Sequence, residues 1–359
     1  MTEVVEGLEL AEVRGWLGCT RLVVHGAPGG GGWSSCTLLA EADGLPIVLR
    51  LAPTGRGMFG EHDLSVQVSC LRHVRAHGLP APAVLATDLA GERLGRPGYA
   101  MERVPGRVPS DDDPPFTKAG FLFDAGADAQ RRFSTDLVYR LAEVHRLPLL
   151  AGLPVGPAAA DHLAWCERQR GERQRGERQA AGQSRRGGGR QAGAPPARSS
   201  PPARSTRDDP PRRAHRLLAR QLPREFGPPA LLWGDARPAN TVVDDGFTVA
   251  GLLDWELAGT GAPEFDVSWL NEMNRLRAGT DPPLPGFLTE EQVWQRWSDR
   301  TGRRPRARAW FRLYSAYRVA VLLELHLDER VRRGALPAEH PVRTDNRATR
   351  RLTELLARH

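Results

Sequence analysis

The sequence predicts an α+β fold, in which strands gather in the first third of the chain and helices fill most of the remainder. Two kinds of pattern carry this. Short apolar runs flanked by turn residues occur before residue 105, and apolar residues at helical spacing recur after residue 130. A third observation places a boundary between two lobes: in "RPGYAMERVPG" a strand runs directly into a Pro-Gly break. At 359 residues the chain has room for one large two-lobed unit or for two domains.

Residues 1–24 carry a modest helical pattern, with Leu8, Val13 and Leu17 near one face. The glycine-rich stretch "GAPGGGGWSS" follows, and "CTLLAEADGLPIVLRLA" then reads as strand, turn at "ADGLP", and strand. A helix is expected through "HDLSVQVSCLRHVRAHG", stopped by Gly78 with Pro80 beyond it. Phe133, Leu137, Leu141 and Val144 predict a buried amphipathic helix over 130–147. Further on, "TVVDDGFTVAGLLDWE" reads as a hairpin turning at "DDG". Trp269, Leu270, Met273 and Leu276 mark a helix in "EFDVSWLNEMNRL", Thr289 and Gln292 have capping-box spacing, and "AWFRLYSAYRVAVLLELHL" is a long apolar helix.

Composition excludes several classes. No apolar run approaches the ~20 residues that span a bilayer, and "MTEVVEGLEL" lacks the features of a signal peptide. Cys19, Cys36, Cys70 and Cys166 are scattered, which argues against a disulfide framework or zinc site and for a reducing cytoplasm. The formal charge of +7 is the property of one segment: residues 167–213 hold thirteen Arg and five acidic residues, leaving the remainder at −1. That segment repeats "ERQRG", has almost no apolar residues, and is expected to be disordered. It also lacks interleaved aromatics for base stacking, so nucleic acid is not the expected partner.

The chemistry concentrates in "WGDARPAN" and "LLDWE". A polar turn explains Asp235 and Asn240 taken alone. The hairpin, however, returns the chain to Asp254 at the end of a strand, so that Asp235, Asn240 and Asp254 can converge at one mouth. Asn and Asp oxygens suit a hard cation such as Mg²⁺, and the remaining Asp is then free to accept a hydroxyl proton.

These motifs, with "LLDWELAGTGAPEFDVSWL" around the second, resemble the aminoglycoside phosphotransferase family, whose two-lobed fold is that of the protein kinases. Within it the chain looks closest to a bacterial branch related to the kinase-like domain of some acyl-CoA dehydrogenases. The resemblance implies a small β-rich nucleotide-binding N-lobe over 1–103 and a larger, mainly helical C-lobe over 104–359, interrupted by 167–213. It implies Asp235 as catalytic base, Arg237 near the transferred phosphate, Asn240 and Asp254 as metal ligands, and Asp266 as a structural cap. Gly30, Gly31, Gly32, Ser34 and Ser35 occupy the place of the phosphate-covering loop, and Arg50 that of the nucleotide-clamping Lys. Met101, Glu102 and Val104 match the adenine-binding hinge, and either Glu61 or Gln67 orients Arg50.

ATP and Mg²⁺ are the implied cofactors, and a small hydroxylated molecule is the implied acceptor. Trp233 stands where the family's loop has His, and Arg50 where it has Lys. These departures raise the alternative of an inactive nucleotide-binding relative. An aminoglycoside acceptor would want clustered carboxylates; Glu264, Glu272, Glu290 and Glu291 are candidates, diluted by Arg275 and Arg277.

Overall fold

A computed structural model describes residues 4–28, 36–53, 64–111, 113–153, 163–164, 166–168, 170, 209–224, 226–279 and 281–358. The chain divides into two compact units, one of Met1–Pro157 with Glu225–Arg308, the other of Ala158–Arg224 with Ala309–His359.

The first unit opens with a five-stranded antiparallel sheet. In chain order its strands are β3 (Leu22–Gly26), β4 (Cys36–Ala42), β5 (Leu45–Leu51), β6 (Val84–Asp88) and β7 (Gly98–Glu102), arranged β3-β4-β5-β7-β6. The β4–β5 hairpin pairs Cys36 with Leu51 and Ala42 with Leu45 around Asp43 and Gly44, at φ 48° and 83°. Positive φ at both central positions is the requirement of a two-residue hairpin turn, which the "DG" dipeptide meets. Asp43 also accepts from the Thr20 and Arg21 N–H groups, and these bonds, Arg21's foremost, hold its carboxyl below the usual range.

Strand alternation decides where Arg50 goes. Along β5, Ile47, Leu49 and Leu51 enter one apolar cluster with Leu8 and Val13. Val48 joins the opposite cluster, with Leu64, Val68 and Leu71 of α2 (Leu64–Ala76). Arg50 shares the parity of Val48 and therefore faces the α2 side of the sheet.

Before β3 the structure differs from the helical reading of residues 1–24. A small hairpin, β1 (Val4–Val5) and β2 (Leu8–Glu9), turns through Glu6 and Gly7 at φ 52° and 76°. The helix is shorter, α1 (Leu10–Leu17), and ends at Gly18 in the left-handed conformation. The β-branched run Val23–Val24 then enters the sheet, where stiff side chains are favoured.

The rest of the unit is mainly helical. Helix α3 (Ala127–Val144) buries Phe133, Leu137 and Leu141, as their spacing predicts. Later segments add β8 (Ala230–Leu232), β9 (Thr241–Val243), β10 (Val249–Leu252) and β11 (Gly259–Gly261), which pair as β9–β10 and β8–β11. Two helices follow, α5 (Glu264–Ala278) and α6 (Glu290–Thr301), the second opening on the expected Thr289/Gln292 capping box.

In the second unit, α4 (Pro210–Arg220) is capped by Asp209, whose side chain accepts from Arg212 N, and it packs on α8 (Arg347–Leu356). The long helix α7 (Arg308–Arg332) contributes Trp310, whose indole donates to Leu218 O at 3.0 Å. Arg170, 4% exposed, is pinned between Asp209 at 2.9 Å and Glu324 at 3.0 Å. At its margins, then, segment 167–213 departs from the expectation of disorder. Arg170 carries two carboxylate partners, and Asp209 with two prolines starts a helix. Residues 171–208 lie outside the described residues. Among the described residues, no helix is long and apolar enough to cross a membrane.

Candidate active site

Strand β8 delivers the chain into Trp233, which is fully buried. The next turn hangs from Asp266 in the first turn of α5: Trp233 N donates to its Oδ2 at 2.7 Å and Gly234 N to its Oδ1 at 3.0 Å. Gly234 sits at φ +85°, and a Cβ there would lie 1.9 Å from Leu257 O, so no larger residue fits. Behind Asp266 stands His145, 3.1 Å from Oδ2 through Nε2, while Trp297 donates its indole N–H to His145 Nδ1 at 2.8 Å. Nδ1 therefore accepts, and Nε2 carries the proton given to Asp266. All three side chains are buried, and Asp266, expected as a cap, holds the preceding loop instead, since no side chain caps α5.

Trp233 reaches across to the other motif. Its Nε1 donates to Leu253 O at 2.8 Å, and its ring lies 5.8 Å from that of Trp255. The two residues flanking this contact, Asp235 and Asp254, are thereby tied to one scaffold. The β9–β10 register completes the tie: Leu252 pairs with Thr241, and Leu253 N donates to Asn240 O at 2.8 Å.

Asp235, 8% exposed, is surrounded by donors. Its Oδ1 accepts from Trp269 Nε1 at 2.7 Å, and its Oδ2 accepts from Arg237 Nε at 2.8 Å and Asn240 Nδ2 at 2.9 Å. Asn240 closes a 3₁₀ turn, Pro238–Asn240, and its amide nitrogen also reaches Asp235 O at 2.9 Å. With both N–H directions spent on Asp235, the Asn240 side chain keeps its Oδ1 for another partner. Arg237 continues to Asp111 Oδ2, which Arg277 also contacts at 2.8 Å. Burial works against the Arg237 charge, but Asp235, Asp111 and Asp254 together outweigh it and raise its pKa.

Asp254 follows β10 by two residues and adopts φ +57°, a left-handed backbone that a non-glycine residue rarely takes without support. Its Oδ1 meets Arg50 Nη2 at 3.2 Å. The Arg50 guanidinium is further held by Thr37 Oγ1 at 3.2 Å and Gln67 Oε1 at 3.4 Å. Burial opposes its charge and Asp254 leads the influences that raise it, so it stays ionised. Tyr99 donates to the same Gln67 oxygen at 3.0 Å, and burial pushes its hydroxyl up to about 12. Of the two residues considered as orienting Arg50, Gln67 makes the contact; Glu61 lies outside the described residues.

Met101 and Glu102 end β7, and Val104 follows it, with its Cγ1 over Gly251. Glu102 N is committed to Ala83 O at 2.8 Å and Arg103 N to Pro46 O at 3.2 Å. Gly30, Gly31, Gly32, Ser34 and Ser35 lie outside the described residues. The four candidate carboxylates do not form a cluster open to a ligand. Glu264 and Glu272 are buried, with Glu264 accepting from Arg306 N, while Glu290 pairs with Arg275 and Glu291 with Arg308.

Two contributors escaped the sequence reading. Trp269 lies one turn beyond Asp266 on the same face of α5, and that spacing was a usable signal. Asp111 lies 126 residues from Arg237 and gave none.

A cation at this site would find one amide oxygen and one carboxylate, from Asn240 and Asp254. That hard, sparse donor set fits Mg²⁺, which keeps waters and shares phosphate oxygens, better than it fits an ion needing an all-protein cage. Among the described residues no group of three or more His, Cys, Asp or Glu could hold a metal.

Residues 25–318 match the Phosphotransferase enzyme family, and the chain belongs to it. Solved structures of similar fold include a Ralstonia eutropha protein assigned as an aminoglycoside phosphotransferase, 17% identical, with 98% of each chain covered and a TM-score of 0.71. The choline kinase of Streptococcus pneumoniae is 12% identical, with 98% of each chain covered and a TM-score of 0.60. A thermostable aminoglycoside phosphotransferase variant in complex with ADP and hygromycin B is 14% identical, with 96% of each chain covered and a TM-score of 0.57. The α+β arrangement is thus the kinase-like fold of small-molecule phosphotransferases.

Proposed function

We propose that this chain transfers the γ-phosphoryl group of ATP, with Mg²⁺, to a hydroxyl of a small molecule. The observation that carries the reading is the single scaffold joining Asp235, Asn240 and Asp254 through Trp233 Nε1–Leu253 O and Leu253 N–Asn240 O. In this reading residues 1–103 form the nucleotide-binding lobe and 104–359 the acceptor-binding lobe. Arg50, braced by Gln67 and Thr37, engages the nucleotide phosphates. The Met101–Val104 stretch takes the adenine edge through backbone groups; with the Glu102 and Arg103 N–H groups already committed, the Glu102 carbonyl and Val104 N–H are the ones assigned. The glycine loop, with Gly30, Gly31, Gly32, Ser34 and Ser35, approaches the phosphates through backbone N–H groups.

Asp235 accepts the proton of the acceptor hydroxyl as its oxygen bonds to phosphorus and the bond from phosphorus to the β-phosphate oxygen breaks, releasing ADP. Arg237, anchored on Asp235 and Asp111, flanks the group in flight. When bound, Mg²⁺ held by Asn240 and Asp254 would neutralise phosphate charge. The rate advantage comes from positioning, with no covalent enzyme intermediate.

The test is thermal stabilisation by ATP with and without Mg²⁺. Wild type should be stabilised more with the metal, and Asp254→Ala should lose that difference. An unchanged Mg²⁺-dependent response in Asp254→Ala would remove Asp254 from the site. A second reading, a nucleotide-binding protein without turnover, draws on Arg50 in the clamp position. It is separated from the first by acceptor-dependent ADP formation.

A further inference from the structure

We infer that His73 and His77 form a two-histidine site for a divalent transition metal that favours square or octahedral coordination, Cu²⁺ or Ni²⁺. The pair lies outside the proposed catalytic group and does not depend on the kinase reading.

The two residues sit where α2 ends. His73 belongs to the last turn of the helix, His77 follows Ala76, and Gly78 at φ +81° turns the chain away. Residues four apart share a helix face. The rings accordingly meet, with centroids 4.4 Å apart and planes tilted by 52°. His77 is exposed and His73 half-buried, so the pair is open to an ion from solvent.

Two carbonyls fix the tautomers. His73 Nε2 lies 2.9 Å from Pro148 O, and His77 Nδ1 lies 2.8 Å from His73 O. A carbonyl oxygen only accepts, so each of these nitrogens carries a proton. In the neutral rings His73 Nδ1 and His77 Nε2 are then the bare nitrogens, each with a lone pair to give. One N–H spent on a carbonyl and the other nitrogen bare is the arrangement of a metal-ligating histidine, whose carbonyl partner holds the ring in orientation.

The ring separation selects the metal. With metal–nitrogen bonds of about 2.1 Å, two imidazoles at a right angle about the ion have centroids about 4.5 Å apart, against more than about 5 Å at the tetrahedral angle. The observed 4.4 Å matches the right angle, which suits Cu²⁺ or Ni²⁺ rather than tetrahedral Zn²⁺. Water completes the coordination, since among the described residues no third His, Cys, Asp or Glu joins the pair. Arg75, between the two in sequence, is turned to Ala81 O and Glu102.

The experiment titrates the full chain, without nucleotide, with Cu²⁺, Ni²⁺ and Zn²⁺ in a non-chelating buffer. It reads Tm for each ion and the EPR spectrum at one equivalent of Cu²⁺. An ion that binds the folded chain raises Tm in step with its affinity, and Ni²⁺ should do so more than Zn²⁺. The wild-type spectrum should show two equatorial nitrogens. His73→Gln and His77→Gln each keep an N–H for the carbonyl and lose the ligating nitrogen. Either should weaken Ni²⁺ binding by at least ~100-fold, the scale on which a second, linked contact is lost, with the metal-free Tm unchanged. Ni²⁺ binding that survives either substitution, Zn²⁺ bound more tightly than Ni²⁺, or fewer than two nitrogens in the wild-type spectrum overturns the inference. The spectrum is taken on the wild type, so it decides even where a variant folds poorly. With no nucleotide present, failure here leaves the kinase reading untouched.

Discussion

The indole N–H of Trp269 donates to Oδ1 of Asp235 at 2.7 Å, and both side chains are buried. The contact fixes the plane of the carboxylate and directs Oδ2 toward Arg237 and Asn240. Trp269→Phe keeps most of the ring packing and removes the donor. If orientation of Asp235 matters to turnover, kcat should fall about 10–100-fold, the scale on which misplacing a reacting group is felt, while the KM for ATP stays put. A variant that loses kcat and ATP affinity together would indicate a packing defect instead.

Gly234 supplies a second test. Both Gly234 and Gly26 have positive φ, yet a Cβ at Gly26 meets open space and one at Gly234 meets Leu257 O at 1.9 Å. Backbone strain alone is of order 1–3 kcal/mol. Gly26→Ala should show that much destabilisation in urea, and Gly234→Ala clearly more. Equal effects would mean that the loop relaxes away from Leu257 and that its close approach is unimportant.

The buried Gln67 amide oxygen accepts from both Arg50 Nη2 and Tyr99 OH. Gln67→Leu strands the Tyr99 hydroxyl, at about 1–3 kcal/mol for a buried polar group without its partner, and leaves Arg50 Nη2 with Asp254 alone. Stability and ATP affinity should both drop. Adding Tyr99→Phe removes one stranded group, so the double variant should recover part of the stability but none of the affinity. Strictly additive losses in stability would refute the shared-acceptor geometry.

His326, on α7, is pushed down to about 4 from its ordinary 6.5, first by burial and then by Arg330 and Arg333, with Glu329 acting the other way. A His with a depressed pKa stays neutral in the folded chain while the unfolded chain takes up a proton. Stability is therefore lost as pH falls from 6.5 toward 4. Between pH 7 and 5 the wild type should lose more Tm than His326→Gln. Parallel curves would show that the ring is hydrated enough to protonate in place.

Much of this was written into the chain, and the reasons for the remainder are physical. Period-two alternation in "PIVLRLA" separates Arg50 from Leu49 and Leu51, the structure shows that its face is the one packed on α2, and the "DDG" turn brings Asp254 back beside Asn240. The departure at Trp233 proved interpretable: an indole has one N–H, and it goes to Leu253 O. What could not be read were pairings between distant segments, such as Asp111 with Arg237 and Arg277, because nothing in the run of three Asp in "SDDDPP" singles out Asp111 or betrays its partner. The short helix after β1–β2 was overestimated because Leu8 fits a helical face and a strand equally well.

The central claim is that Asp235 accepts a proton and leaves nucleotide binding to other groups. Asp235→Asn keeps the size of the side chain and one acceptor oxygen but removes the basic carboxylate. Single-turnover transfer from Mg·ATP to an acceptor identified for the wild type, measured beside the thermal response to Mg·ATP, compares the two functions directly. The account predicts transfer slowed ~10²–10⁴-fold, the usual worth of positioned proton transfer, with the nucleotide response retained. Equal transfer rates in wild type and Asp235→Asn would contradict it.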